Sequence, residues 1–324
     1  MTTKKSFNGV FWHSLNNNEL ESDAFSVAQK NNISISLAKL LINRNVKKIP
    51  NFLNSKLKEN ISITEIMKLH NIEKSINFFE KVKLEKKIAI FSDYDVDGAC
   101  SAAICKKLFL QLGIETSVYI PNRFNEGYGL NIKAIDKMLE FSSNILVLDC
   151  GSNNVEEQRY VHDKKGQIMV VDHHECDEFF EQAIVINPKT PNDKSSLNDL
   201  CATGLIFLIF VYLKHKNLFS KSDILQYLDL VALATICDLV PLNSINRSLV
   251  KQGLKIINSE NLNKGIQTLI KQAKIKQRIS EYHLGYILGP RINAGGRMGE
   301  SLLGFQLLSS ENIHQALQYA QIIE

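Results

Sequence analysis

The stretch "KKIAIFSDYDVDGAC", residues 86–100, joins an isoleucine-rich apolar run to aspartates at alternate positions, Asp93, Asp95 and Asp97, and closes on Gly98 and two small residues. Alternating carboxylates before a glycine also open a calcium-binding EF-hand loop, but that loop needs a bidentate glutamate at its twelfth position and a helix on each side. Counted from Asp93, the twelfth position is Ile104. The run before the aspartates is short, rich in isoleucine and predicted as a buried strand. "ACSAAICKKLFLQLG" after them is predicted as a helix ending at Gly113. The carboxylates therefore sit where a strand turns into a helix, and the EF-hand reading is set aside.

The same alternation continues outward. "ETSVYIP", "NILVLDCG", "QIMVVDHHE" and "AIVINP" read as strands, with helical segments such as "NIKAIDKMLEF" between them. Short apolar strands alternating with helices predict an α/β fold, a doubly wound, mainly parallel sheet with helices on both faces. Ligands bind such sheets beyond the carboxyl ends of the strands. Residues 1–80 read as a helical amino-terminal region, with "SISLAKLLINR" and "ITEIMKLHNIEKSINFFEKVK" at helical spacing. Residues 81–250 form the expected catalytic domain. Residues 251–324 read as a helical connector that contains the glycine-rich "GPRINAGGRMG".

Composition sets bounds on function. A chain of 324 residues, 44% apolar with a formal net charge of +4, fits an ordinary globular enzyme and does not by itself identify a nucleic-acid binder. Six cysteines without a C-x-x-C pair argue against a zinc site or a disulfide framework and read as reduced core thiols. The longest apolar span, "CATGLIFLIFVYL", is too short to cross a membrane, and no signal sequence is evident, so a cytoplasmic protein is expected. Between Lys251 and Ser280 seven basic residues face the single acid Glu260. A solvated helix face accounts for this as well as a phosphate-tracking surface does.

Three predicted strands end in ionisable residues: Asp93, Asp95 and Asp97, then Asp149, then Asp172, His173 and His174. One aspartate after a strand is usually a helix cap. Three such groups at one sheet edge repel one another unless cations neutralise them, which makes a metal site the economical reading. Hard oxygen ligands suit Mg2+ or Mn2+, an imidazole favours Mn2+, and the donor count allows two ions. Asp238, inside the apolar "ATICDLVPL", is a further candidate ligand or a helix-end residue before Pro241.

"DYDVDG", "LDCG", "VDHHE" and "ATICDLVPL", in this order, resemble the four motifs of the DHH phosphoesterases, and "GPRINAGGRMG" resembles the distinguishing motif of the RecJ branch, exonucleases specific for single-stranded DNA. The resemblance implies that Asp93, Asp95 and Asp97 supply ligands, Asp149 bridges two ions, His173 binds the second ion and Asp238 completes it. It implies that Asp172 orients the histidines, leaving His174 as general acid or electrostatic stabiliser. Arg291 and Arg297, with Asn293 between them, would hold phosphate, Arg291 also acting in catalysis; Arg123 and Asn187 are further substrate candidates. Some relatives carry histidine where this chain has Phe91, and Asp93 is the expected substitute.

The activity so implied is metal-dependent 5′-to-3′ hydrolysis of single-stranded DNA in repair and recombination, with single-strand-binding protein and a helicase as partners and no membrane. The final helix has no stop signal, and the DHH-associated and OB-like domains expected of the family do not follow, so the chain reads as truncated. Two other readings remain open at this point: a small-substrate phosphodiesterase or pyrophosphatase, against which the arginine-bearing motif weighs, and a non-enzymatic nucleic-acid scaffold, which predicts eroded ligands.

Overall fold

A computed structural model describes residues 4–12 and 18–323. By contacts the chain divides into two compact units, Met1–Glu59 and Asn60–Glu324. In the first, a two-stranded antiparallel pair, Lys4–Lys5 with Phe11–Trp12, precedes helices Asn18–Asn31, Ile35–Asn43 and Ile49–Leu53. The Ser34 side chain caps the second helix by accepting from Leu37 N at 3.2 Å, and Ala24, Ala28 and Ala38 form its small core.

The second unit is built on a five-stranded parallel sheet: β1 (Lys87–Ser92), β2 (Glu115–Tyr119), β3 (Asn144–Leu148), β4 (Gln167–Val171) and β5 (Ile184–Ile186), in the order β2-β1-β3-β4-β5. Every residue of β3 and β5 is buried, as is nearly all of β1 and β4, because helices cover both faces. The edge strand β2, with Glu115, Thr116 and Ser117, is only half-buried, a composition that discourages pairing with another chain.

Helices α1 (Lys74–Glu85), α2 (Val96–Gln111) and α5 (Ala202–His215) pack on one side of the sheet. Helices α3 (Ile132–Phe141) and α4 (Val155–Asp163) pack on the other, where Ala89, Phe91, Ile145, Val147, Ile168 and Val170 meet Ala134, Ile135, Met138 and Val161. Alternate residues of each strand thus serve opposite cores. The chain then runs through α6 (Leu228–Cys237), α7 (Ser244–Ile257), α8 (Lys264–Gln272), α9 (Gly289–Arg297), α10 (Leu303–Ser309) and α11 (Ile313–Ile323). The expected α/β architecture is present.

Several local expectations differ. The boundary near residue 80 falls instead at 59/60, since α1 buries Phe78, Phe79 and Val82 on the sheet side of the second unit. Position 250/251 lies inside α7, and α10 packs on α2, so residues 251–324 belong to the same compact unit. "ITEIMKLHNIEKSINFFEKVK" is two helices, Ile63–Ile66 and α1. Between them Asn71 takes a left-handed conformation at φ 63°, and its side chain donates to Val185 O at 3.1 Å. The motif "GPRINAGGRMG" is mostly helix α9, preceded by a π-helical turn, Leu284–Leu288. Its glycines are packing surfaces: a Cβ on Gly289 would lie 2.5 Å from Cys237 Sγ, and one on Gly295 would lie 3.1 Å from Leu303 Cβ in α10. Among the described residues no helix is long and apolar enough to cross a membrane.

Candidate metal centre

The strand order reverses direction between β1 and β3, which opens a crevice at their carboxyl ends. Each strand of the inner sheet extends its ladder by one residue, and that residue is an acid: Asp93 N donates to Leu148 O (3.2 Å), Asp149 N to Val171 O (2.9 Å) and Asp172 N to Ile186 O (3.3 Å). Strand register therefore places the three acids side by side. Asp149 is left-handed at φ 62°, a conformation costing on the order of 1 kcal/mol or more for a residue with a side chain.

The turn after β1 is held by its own carboxylates. Asp95 caps α2, accepting from Gly98 N at 2.9 Å, and Asp93 accepts from Tyr94 N at 2.8 Å. Asp97 is anchored from the far side by the first amides of α5, Ala202 N at 2.7 Å and Thr203 N at 2.9 Å, while the Thr203 hydroxyl donates to Asp97 O. Gly98 is needed for close approach: a Cβ there would lie 2.3 Å from the Asp93 carbonyl oxygen. Gly98→Ala is expected to cost roughly 1–3 kcal/mol in stability, as overpacking does, and to weaken Mn2+ binding by moving Asp93 and Asp95. Thermal unfolding and a metal titration check both.

The donors fall into sets whose ligand atoms lie within 4.8 Å of one another: Asp93, Asp95 and Asp149; Asp97, His173 and Asp238; and Asp149, His173 and His174. Asp149 is shared by the first and third, His173 by the second and third. His173 Nε2 lies 3.3 Å from Asp149 Oδ1, 3.6 Å from Asp238 Oδ2 and 3.9 Å from Asp97 Oδ2. Yet Asp149 Oδ1, His173 Nε2 and Asp238 Oδ2 are buried atoms without a hydrogen-bond partner among the described residues. Three orphaned polar atoms converging on one point, surrounded by further carboxylates, are what a divalent cation requires, so the residues present fit Mn2+ or Mg2+.

The electrostatics agree. Burial, then the charges of Asp97, Asp95 and Asp93, raises Asp149 well above the usual carboxylate range. Burial, with Asp95 beside it, pushes Asp93 up to about 7; burial, with Asp97 and Asp95, does the same to Asp238. Burial lowers the His173 pKa, which favours the neutral ring that coordinates metals. In the unfolded chain these carboxyls titrate near about 4, so without metal their contribution to stability is full below that pH and is lost as pH rises to about 7. Bound cations replace those protons. In chelator the melting temperature should fall between pH 5.5 and 8, and Mn2+ should raise it more at pH 8 than at pH 5.5. Calorimetry at both pH values measures this.

The Asp172 carboxylate belongs to none of these sets. It accepts from His173 N (2.7 Å), His174 N (3.2 Å), His174 Nδ1 (2.7 Å) and Ser152 N (3.0 Å). Burial works against its charge, but these bonds hold Asp172 down to about 2. The hydrogen bond to Asp172 in turn raises His174, whose side chain is about half exposed at 49%, and leaves only Nε2 to face the crevice. Tyr128 meets the His174 ring edge-on at 6.2 Å.

Not every candidate stands at the crevice as expected. Asn187 is wholly buried, its amide donating to His174 O (2.8 Å) and Ser152 Oγ (2.9 Å) and accepting from Lys189 N (2.9 Å). It braces the histidine loop instead of facing substrate. Phe91 is packed in the core on the α3 and α4 side of the sheet and stacks on Tyr119 at 5.9 Å. Arg291 is half-buried, with Nη1 donating to Ile287 O at 2.8 Å. Asn293 has a buried Oδ1 without a partner among the described residues, and Arg297 is exposed at the end of α9.

Tyr94, between the first two aspartates, links these pieces. Arg123 lies over its ring at 5.5 Å, and Gly296 packs so close that an added Cβ would sit 3.4 Å from Tyr94 Cδ2. Asn122 Nδ2 donates to Gly299 O at 2.8 Å, tying the Arg123 loop to the end of the α9 motif. The Tyr94 platform, the Thr203 anchor and the Ser152 brace were not singled out from the sequence. Only the small residues of "CATGL", which admit a helix start close to Asp97, signal one of them.

Residues 87–235 match the family model described as "DHH family, N-terminal domain". The chain is similar to the single-stranded-DNA-specific exonuclease RecJ of Haemophilus influenzae, 31% identical over 289 residues, covering 86% of this chain and 49% of that protein. It is similar to a crystal structure of exonuclease RecJ bound to manganese, at 28% identity and TM-score 0.70, covering 79% of this chain and 65% of that one. A RecJ structure from Thermus thermophilus with Mn2+, at 24% identity, shares the fold at TM-score 0.77 over 93% of this chain and 43% of that one. The chain spans about half the length of the curated relatives it matches. With the motif acids in register along the sheet edge, the match over β1 to α6 makes residues 87–235 a domain of the DHH type.

Proposed function

We propose that this chain carries the catalytic centre of a metal-dependent exonuclease that hydrolyses phosphodiester bonds of single-stranded DNA from the 5′ end. The observation that carries the reading is the convergence of Asp149 Oδ1, His173 Nε2 and Asp238 Oδ2, buried and without hydrogen-bond partners among the described residues, with His174 near Asp149 and His173. Asp93, Asp95 and Asp149 would hold one ion, and Asp97, Asp149, His173 and Asp238 a second. Divalent ions there supply charge neutralisation at the phosphate and a lowered water pKa.

The chain's own residues do the rest. Asp172 fixes the His174 tautomer, so His174 Nε2 carries the proton toward the leaving oxygen. Asn187 holds the His174 backbone in place. Arg291, with one Nη committed to Ile287 O, offers its remaining N–H groups to a phosphate oxygen, and Arg297, Asn293 and Arg123 lie on the segments that meet at Tyr94. The relatives' names supply the single-strand preference and the exonuclease action. A role in DNA repair and recombination in the cytoplasm, alongside single-strand-binding protein and a helicase, follows from the same likeness. Release of nucleotides from 5′-labelled and 3′-labelled single strands in Mn2+ tests the reading: early release of the 5′ label alone supports it, and early release of the 3′ label or cutting at internal positions refutes it.

A further inference from the structure

Beyond the carboxylates, two adjoining cavities lie beside the carboxyl end of α6. The first, about 600 Å³, is lined by Cys237, Leu239, Leu242, Tyr282, Gly285 and Tyr286. The second, about 440 Å³, shares Leu242 and Glu281 with it and adds Lys255 and Arg278. Arg247 and Lys251 also line the second and are engaged by other groups, whereas Lys255 and Arg278 are exposed. The first wall includes Cys237 and Leu239, the chain neighbours of the candidate ligand Asp238.

Their walls are firmly built and unusually apolar at the surface. Tyr282 and Tyr286 are 61% and 75% exposed, yet their rings stack on each other at 5.2 Å and 26°. Tyr286 belongs to the π-helical turn Leu284–Leu288, which starts two residues after Tyr282, a rare geometry often found at functional sites. Gly285 seats this turn on α6, where a Cβ would lie 3.2 Å from Ile236 Cγ2. Leu239, 86% exposed and left-handed at φ 58°, completes the apolar rim. The basic side is pinned as well: the Asn258 side chain bonds both N and O of Ile279, which fixes Arg278 against the helix that bears Lys255. His283 is held by Ser280 and Gln277 at the start of the aromatic turn.

We propose that the Tyr282–Tyr286 pair and the Lys255–Arg278 pair form a track for the body of a single-stranded nucleic acid, bases stacking on the tyrosines and phosphates following the cations. The inference rests on the reading of the crevice as a nuclease centre. The occupant follows from charge and shape. A flat aromatic surface beside exposed cations matches the alternation of bases and phosphates, and stacking tolerates any sequence. The lone acid at the junction, Glu281, keeps the charge from being uniformly positive.

The test measures binding of a labelled oligothymidylate to the chain in chelator, by anisotropy over a range of salt, with Mn2+-dependent hydrolysis of bis(p-nitrophenyl) phosphate followed in parallel. Tyr282→Ala with Tyr286→Ala should weaken binding roughly ten- to a hundredfold. Tyr282→Phe with Tyr286→Phe should restore it, which a hydroxyl-dependent role would not. Lys255→Glu with Arg278→Glu should weaken binding and flatten its salt dependence by about 0.7 in log–log slope per phosphate contact. Hydrolysis of the small ester should be unchanged throughout.

An alanine pair that binds like the unmodified chain overturns the proposal, as does an unmodified chain that does not bind. So does a dimer, seen by sedimentation, that the alanine pair converts to monomer, since the tyrosines then cover a second copy. Failure of the nuclease reading looks different: oligonucleotide binding persists and depends on the tyrosines, but neither the ester nor the single strand is cleaved in Mn2+.

Discussion

Asp149→Asn is expected to abolish Mn2+-dependent hydrolysis while leaving the fold intact. Asp149 is shared by two of the donor sets, and one of its oxygens is a buried atom with no hydrogen-bond partner among the described residues. Substitutions that merely reorient a ligand already cost about ten- to a hundredfold in metal affinity, so loss of a shared ligand should exceed that. Asparagine accepts the left-handed backbone at this position, which alanine does not favour. It also removes a carboxylate crowded by Asp97, Asp95 and Asp93. In chelator the variant should therefore melt at or above the temperature of the unmodified chain. Loss of activity with a lowered melting temperature in chelator would mean that Asp149 serves the fold first.

His174→Gln should lower kcat by about a hundred- to ten-thousandfold, the range for removing a general acid, with Mn2+ affinity retained. The companion variant Asp172→Asn separates chemistry from positioning. Its carboxylate raises His174, so the protonated imidazole persists to higher pH in the unmodified chain. Removing that charge lowers the His174 pKa, and the alkaline limb of the rate profile should move to lower pH. If His174→Gln loses metal affinity in parallel with rate, the imidazole is a ligand, as its nearness to Asp149 and His173 allows.

Much of this was legible in the chain because short-range physics fixed it. Strands β1, β3 and β4 end in acids one residue past the last ladder position, and both the apolar runs and the charges that stop them are visible in sequence. Parallel register then aligns the acids without further information. The α9 motif was harder to read, since glycine disfavours helix by roughly 1 kcal/mol per residue. Gly289 is needed in this helix because Cys237 stands where a side chain would go, a tertiary fact with no local signature. Asn187, a substrate candidate by resemblance alone, is a similar case: only the fold shows Ser152 and His174 engaging its amide. The break at Asn71 likewise depends on a partner, Val185, more than a hundred residues away.

The central claim, that one sheet edge holds two cations through a shared aspartate, is tested most directly by titrating Mn2+ into the metal-free chain at pH 8 and counting bound ions by the loss of the free-ion resonance. Two ions bound per chain, both displaced when Asp149 is replaced by asparagine, is the predicted result. Stoichiometric binding that survives Asp149→Asn, or no binding by the unmodified chain, would contradict it.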